Sequence, residues 1–81
     1  MLDYAGFDGI LSDPLGGTFG LHYEDHHWAA SVLAQCAAKL CDGRLVSVLE
    51  GGYDVSSEEN GLAKAVYAHL RGLAGLPMTP Q

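Results

Sequence analysis

The sequence predicts an α/β fold with strands and helices in the order βαβα. Two short apolar runs, Met1–Phe7 and Leu45–Leu49, are each followed by a Gly-rich loop and then by a segment with helical periodicity. The second run is nearly all apolar, without full alternation, which fits a strand covered on both faces of a parallel sheet. The crossover between the strands should be right-handed. A two-stranded sheet leaves two open edges, so such a strand expects neighbours. The chain therefore reads as one end of a larger doubly wound domain, where ligands bind at the C-terminal strand ends.

The first run ends at Gly6-Phe7-Asp8-Gly9, a strand tail entering a turn. Asp13-Pro14 and Gly16-Gly17 mark an extended loop to about Gly20. A helix is expected from about Tyr23 to Cys41. Trp28, Val32, Cys36 and Leu40 recur every four residues, with Ala29, Leu33 and Ala37 beside them, giving a wide apolar stripe. Glu24 and Asp25 in its first turn and Lys39 in its last suit the helix dipole, and Asp42-Gly43 supplies a stop. After the second strand, Glu50 to Asp54 form a sharp loop, and the polar stretch Ser56–Asn60 could cap a second helix. That helix is expected from about Asn60 to Leu73, with Leu62, Val66, Leu70 and Leu73 on one face. Gly75 and Pro77 end it. Residues 1–75 read as one partial domain and 76–81 as a tail.

The chain has 81 residues, 48% of them hydrophobic and 17% charged, which is globular composition. So short a chain buries only roughly 60% of its unfolded surface and is marginal alone. Four Lys and Arg against ten Asp and Glu give a net charge of −6, which argues against direct nucleic-acid binding or an anionic membrane surface. There is no apolar run of membrane-spanning length and no secretory leader pattern. Cys36 and Cys41 are too few for a disulfide scaffold and read as reduced thiols of an intracellular protein.

Asp8 sits at a strand's C-terminal edge, where a carboxylate could ligate a metal or orient a base. The same position suits an Asx-turn, and from position alone the turn reading leads. Asp13-Pro14 begins a turn, whose Leu15 could also line a pocket. Gly51-Gly52 allow close backbone approach, and Tyr53 could donate a hydrogen bond to a developing oxyanion or simply lid the core; spacing leaves both open. His22 and His26 are four apart but lack an HExxH pattern, so they read, with His27, as solvated helix-start histidines. His69 reads as a partly buried surface histidine. Gly16–Gly20 lacks the Lys-Ser/Thr of a phosphate loop.

Taken together, Ala5-Gly6-Phe7-Asp8, Asp13-Pro14-Leu15-Gly16-Gly17 and Leu49-Glu50-Gly51-Gly52-Tyr53-Asp54 resemble the C-terminal part of a zinc-dependent deacetylase of the histone deacetylase superfamily. The motif style is similar to the class II and acetylpolyamine amidohydrolase branch. The resemblance covers nearly the whole chain, to about Leu73, and it implies an arginase/deacetylase-type parallel-sheet fold. It implies that Asp8 is a Zn²⁺ ligand, that Tyr53 is the donor to the substrate carbonyl and tetrahedral intermediate, and that Leu15, Gly51 and Gly52 are walls of an acyl-lysine tunnel. Some branches carry His at the Tyr53 position and deacetylate poorly; Tyr53 is kept here. Many relatives continue the first motif with Ala-His, where this chain has Gly9-Ile10.

The implied activity is hydrolysis of acetyl-lysine in histones or other proteins, or of acetylpolyamines, in cytoplasm or nucleus. The family's histidine base pair, aspartate dyads and first two zinc ligands are expected upstream, in the remainder of the deacetylase domain. One carboxylate cannot hold Zn²⁺ where three protein ligands are needed, so this chain alone is expected to be inactive. The alternative is a catalytically incomplete, deacetylase-like binding or regulatory module, whose −6 charge would suit a basic tail.

Overall fold

A computed structural model describes residues 1–7, 9, 20–52 and 60–78. Strand β1 (Leu2–Ala5), helix α1 (Tyr23–Leu40), strand β2 (Val46–Leu49) and helix α2 (Gly61–Leu73) occur in that order. The strands pair in parallel, with Leu2 opposite Val46, Asp3 opposite Ser47, Tyr4 opposite Val48 and Ala5 opposite Leu49. The expected α/β arrangement is present.

Local chemistry sets the helix ends. His22 caps α1 in extended conformation, and its N–H donates to Asp25 Oδ2 at 2.8 Å. At the other end, the N–H groups of Cys41 and Gly43 both donate to the Ala37 carbonyl at 2.9 Å. That closure needs left-handed backbone, supplied by Asp42 (φ 55°) and Gly43 (φ 78°). Beyond α2, Gly75 (φ 72°) turns the chain so that the Leu76 N–H reaches the Arg71 carbonyl at 2.8 Å. Asn60 precedes α2 with left-handed backbone and makes no side-chain cap; the polar stretch before it lies outside the described residues.

The helices meet through small residues, and the expected stripes are covered only in part: Ala37 of α1 is buried and Leu62 and Val66 of α2 pack at the core. On α1 the buried residues are Ala30 and Ala37; on α2 they are Gly61, Ala65, Ala68, His69 and Gly72. A Cβ at Gly72 would collide with the His27 carbonyl oxygen and with Ala30 Cβ, so the backbones meet there. Trp28 (68% exposed) and Leu40 (78%) face solvent, as does Leu70 on α2. The predicted α1 stripe is therefore mostly the outer face. Close helix approach selects Ala and Gly at the contact and leaves bulky side chains outside it.

The sheet is likewise covered on one side only within the described residues. Alternation puts Asp3 and Ser47 on the face that meets α2, and Leu2, Tyr4, Val46 and Val48 on the other. Those four remain exposed, so the expectation of a strand buried on both faces is not met by this chain's own helices. Among the described residues, the core cluster holds the fully buried Phe7 and Ala65, with Ala5, Tyr23, Leu62 and Val66 packed around them. No helix among the described residues is long and apolar enough to cross a membrane.

Candidate functional site

Parallel pairing carries both strand tips to the same edge of the sheet. The Glu50 N–H donates to the Ala5 carbonyl at 2.7 Å, and the Phe7 N–H donates to the Gly51 carbonyl at 3.2 Å. The ladder thus continues past the last strand residues and ties the segment before Asp8 to the segment before Tyr53. Gly51 (φ 84°) and Gly52 (φ 128°) both use backbone that favours glycine. A Cβ at Gly52 would stand 2.5 Å from Leu62 Cδ1 and 3.1 Å from Phe7 Cβ. Gly52 is therefore the close-approach position that the sequence suggested, and its close neighbours are Phe7 and the first turn of α2.

Phe7 is the anchor of this edge. Its ring lies between two histidines: His26 from α1, with centroids 5.0 Å apart and tilted, and His69 from α2, 5.5 Å apart and edge-on. His69 belongs in turn to a polar cluster under the sheet. Ser47 Oγ donates to Asp3 Oδ2 at 2.9 Å and lies 2.8 Å from His69 Nε2; His69 Nε2 stands 3.7 Å from the same carboxylate oxygen. A serine hydroxyl has one proton. With that proton directed at the Asp3 carboxylate, the Ser47–His69 bond requires His69 to donate from Nε2.

Burial disfavours charge on both histidines. The His69 pKa is lowered chiefly by desolvation, which the Asp3 carboxylate opposes. The His26 pKa is lowered by desolvation first and by repulsion from His69 second, with Asp25 opposing. Among the described residues the buried His26 Nε2 has no hydrogen-bond partner. Both histidines depart from expectation. His69 is 4% exposed and not a surface group, and His26 is half-buried against Phe7. His27 is also half-buried, with Nε2 2.6 Å from the Leu76 carbonyl oxygen. Only His22 is the exposed helix-start histidine foreseen.

Of the site residues drawn from the sequence, Gly51 and Gly52 are placed at this edge, whereas Asp8, Leu15 and Tyr53 lie outside the described residues. Among the described residues no group of three His, Cys, Asp or Glu could hold a metal ion. Sequence reasoning missed the Asp3–Ser47–His69 cluster. One signal for it was present: Ser47 is a lone hydroxyl inside an otherwise apolar strand, a position that asks for a buried partner.

The family model of the histone deacetylase domain matches residues 1–72. The chain belongs to the histone deacetylase domain family. It is 42% identical over 69 residues to a type-2 histone deacetylase 2 of Dictyostelium discoideum, covering 85% of this chain and 4% of that protein. Histone deacetylase 10, chloroplastic, of Oryza sativa subsp. japonica is 39% identical over 69 residues, 82% of this chain and 15% of that protein. A type-2 histone deacetylase 1 of Dictyostelium discoideum is 38% identical over 70 residues, again 4% of its length. The chain thus spans a small part of these deacetylases. Its parallel βαβα arrangement is consistent with the deacetylase fold.

Proposed function

We propose that this chain supplies one wall of a zinc-dependent amidohydrolase centre that removes acetyl groups from lysine side chains of histones or other proteins, or from polyamines. The observation that supports it most is the bond from the Phe7 N–H to the Gly51 carbonyl. It brings the residue before Asp8 beside the residues before Tyr53, as a shared cleft at the strand tips requires.

In this proposal Asp8 is a zinc ligand, Tyr53 donates from its hydroxyl to the substrate carbonyl oxygen, and Leu15, Gly51 and Gly52 line the channel for the acyl-lysine chain. Tight backbone at Gly51-Gly52 suits a narrow channel, because no side chain projects from either residue. The metal does not fit within this chain by itself: Asp8 offers one donor where such a site takes three. The remaining ligands and the histidine base pair belong to the rest of the deacetylase domain, with residues 1–75 as a partial domain and 76–81 as a tail. The chain alone is accordingly inactive. The compartment proposed is cytoplasm or nucleus.

A second proposal is a catalytically incomplete binding module. The exposed apolar face of Leu2, Tyr4, Val46 and Val48 favours it, since that face suits a protein surface, and a net charge of −6 suits a basic partner. An acetyl-lysine reporter assay separates the two. The deacetylase proposal expects no turnover by the 81-residue chain and turnover by a complete domain containing it. A complete domain without turnover, yet binding a basic histone tail, would transfer the case to the module.

A further inference from the structure

Asp3, Ser47 and His69 are the residue types of a hydrolase triad, but they are arranged for a different task. In a nucleophilic triad the histidine bridges, taking the serine proton while the carboxylate holds its far nitrogen. Here serine bridges, with its hydroxyl 2.9 Å from the carboxylate and 2.8 Å from the imidazole. The hydroxyl already donates its proton toward the Asp3 carboxylate, and His69 is buried. The cluster is not a nucleophile.

Its placement suggests what it does. Asp3 and Ser47 are register partners at the middle of the two strands. Two residues on, Ala5 faces Leu49, and beyond them the Phe7 N–H reaches the Gly51 carbonyl. His69 links the two levels: Nε2 holds Ser47, and its ring edge bears on Phe7, whose Cβ in turn bounds Gly52. A change at Ser47 therefore has a continuous path of contacts to both strand tips. Buried hydrogen bonds of this kind are directional and fix one arrangement where apolar packing alone would allow several.

We propose that Ser47, together with Asp3 and His69, is a positioning group that sets the separation and register of the Phe7 and Gly51-Gly52 strand tips. This rests on the assignment of those tips to a deacetylase channel, but the positioning itself can be measured without catalysis.

The test is backbone amide NMR and hydrogen exchange on the full 81-residue chain. In Ser47→Ala, the amides of Phe7, Gly51 and Gly52 should shift, and the Phe7 amide should exchange at least about fivefold faster, since it loses support worth roughly one hydrogen bond. The amides of Ala30 and Gly72, at the helix–helix contact, should stay in place. Ser47→Thr, which keeps the hydroxyl and suits a strand, should restore the tips. Should Ser47→Ala fail to fold, His69→Gln against His69→Leu serves: the amide N–H of Gln can keep the donor, and only the Leu variant should displace the tips. A lower unfolding midpoint with unmoved tip amides would overturn the proposal and leave the cluster as packing alone. Displaced tips in a chain whose complete domain never deacetylates would instead count against the function and leave the positioning standing.

Discussion

Ser47 Oγ lies 2.8 Å from His69 Nε2, joining the middle of β2 to the third turn of α2. Because the serine proton is spent on Asp3, this bond is made by a histidine that donates from Nε2, and a neutral ring can do so. The native structure therefore does not depend on a charged His69, and burial disfavours one.

Stability should accordingly depend on pH. Both His26 and His69 have pKa values lowered from 6.5 in the folded chain, chiefly by desolvation. Below pH 6.5 the unfolded chain binds more protons than the folded one, so stability is lost as pH falls from there through the lowered values. Urea midpoints should be higher at about pH 7.5 than at about 5.5. Replacing His69 by Gln should flatten this dependence, because one of the two titrating groups is gone; an unchanged slope would contradict the burial argument.

Phe7 should dominate the stability of the chain. It is the largest fully buried side chain described, and it contacts both helices through His26 and His69. Phe7→Ala should cost ~3–5 kcal/mol, a large fraction of the stability of a small domain. Leu40→Ala, at a position 78% exposed, should change stability by no more than about 0.5 kcal/mol. Circular dichroism during urea unfolding measures both.

Gly72 should resist even a methyl group. The collision with the His27 carbonyl and Ala30 Cβ would push the helices apart, despite alanine's better helix propensity. Gly72→Ala should destabilise by about 1–3 kcal/mol. A stabilised variant would show that the helices are farther apart than described.

The fold was legible in the sequence, and the packing was only partly so. The apolar runs and the Gly stops located both strands and both helices to within about one or two residues, because turns and caps are local chemistry. The periodic α1 stripe includes the buried Ala37, but it also includes Trp28 and Leu40, which are exposed, and leaves out Ala30, which meets Gly72 of α2. A one-dimensional pattern weighs side chains by size, whereas a close helix crossing selects for their absence. The positive φ that two adjacent glycines allow is found at Gly51 and Gly52. His69 was misjudged because its partners, Asp3 and Ser47, are distant in sequence, Ser47 by 22 residues and Asp3 by far more. Only the parallel register brings them together.

The most direct test of the proposed function is Tyr53→Phe in a complete deacetylase domain containing this chain, with kcat and KM measured on an acetyl-lysine peptide. If the Tyr53 hydroxyl serves the reacting carbonyl, kcat should fall about 10²–10³-fold with KM little changed. Full turnover by the Phe variant would contradict the assignment of the β2 tip to the catalytic cleft.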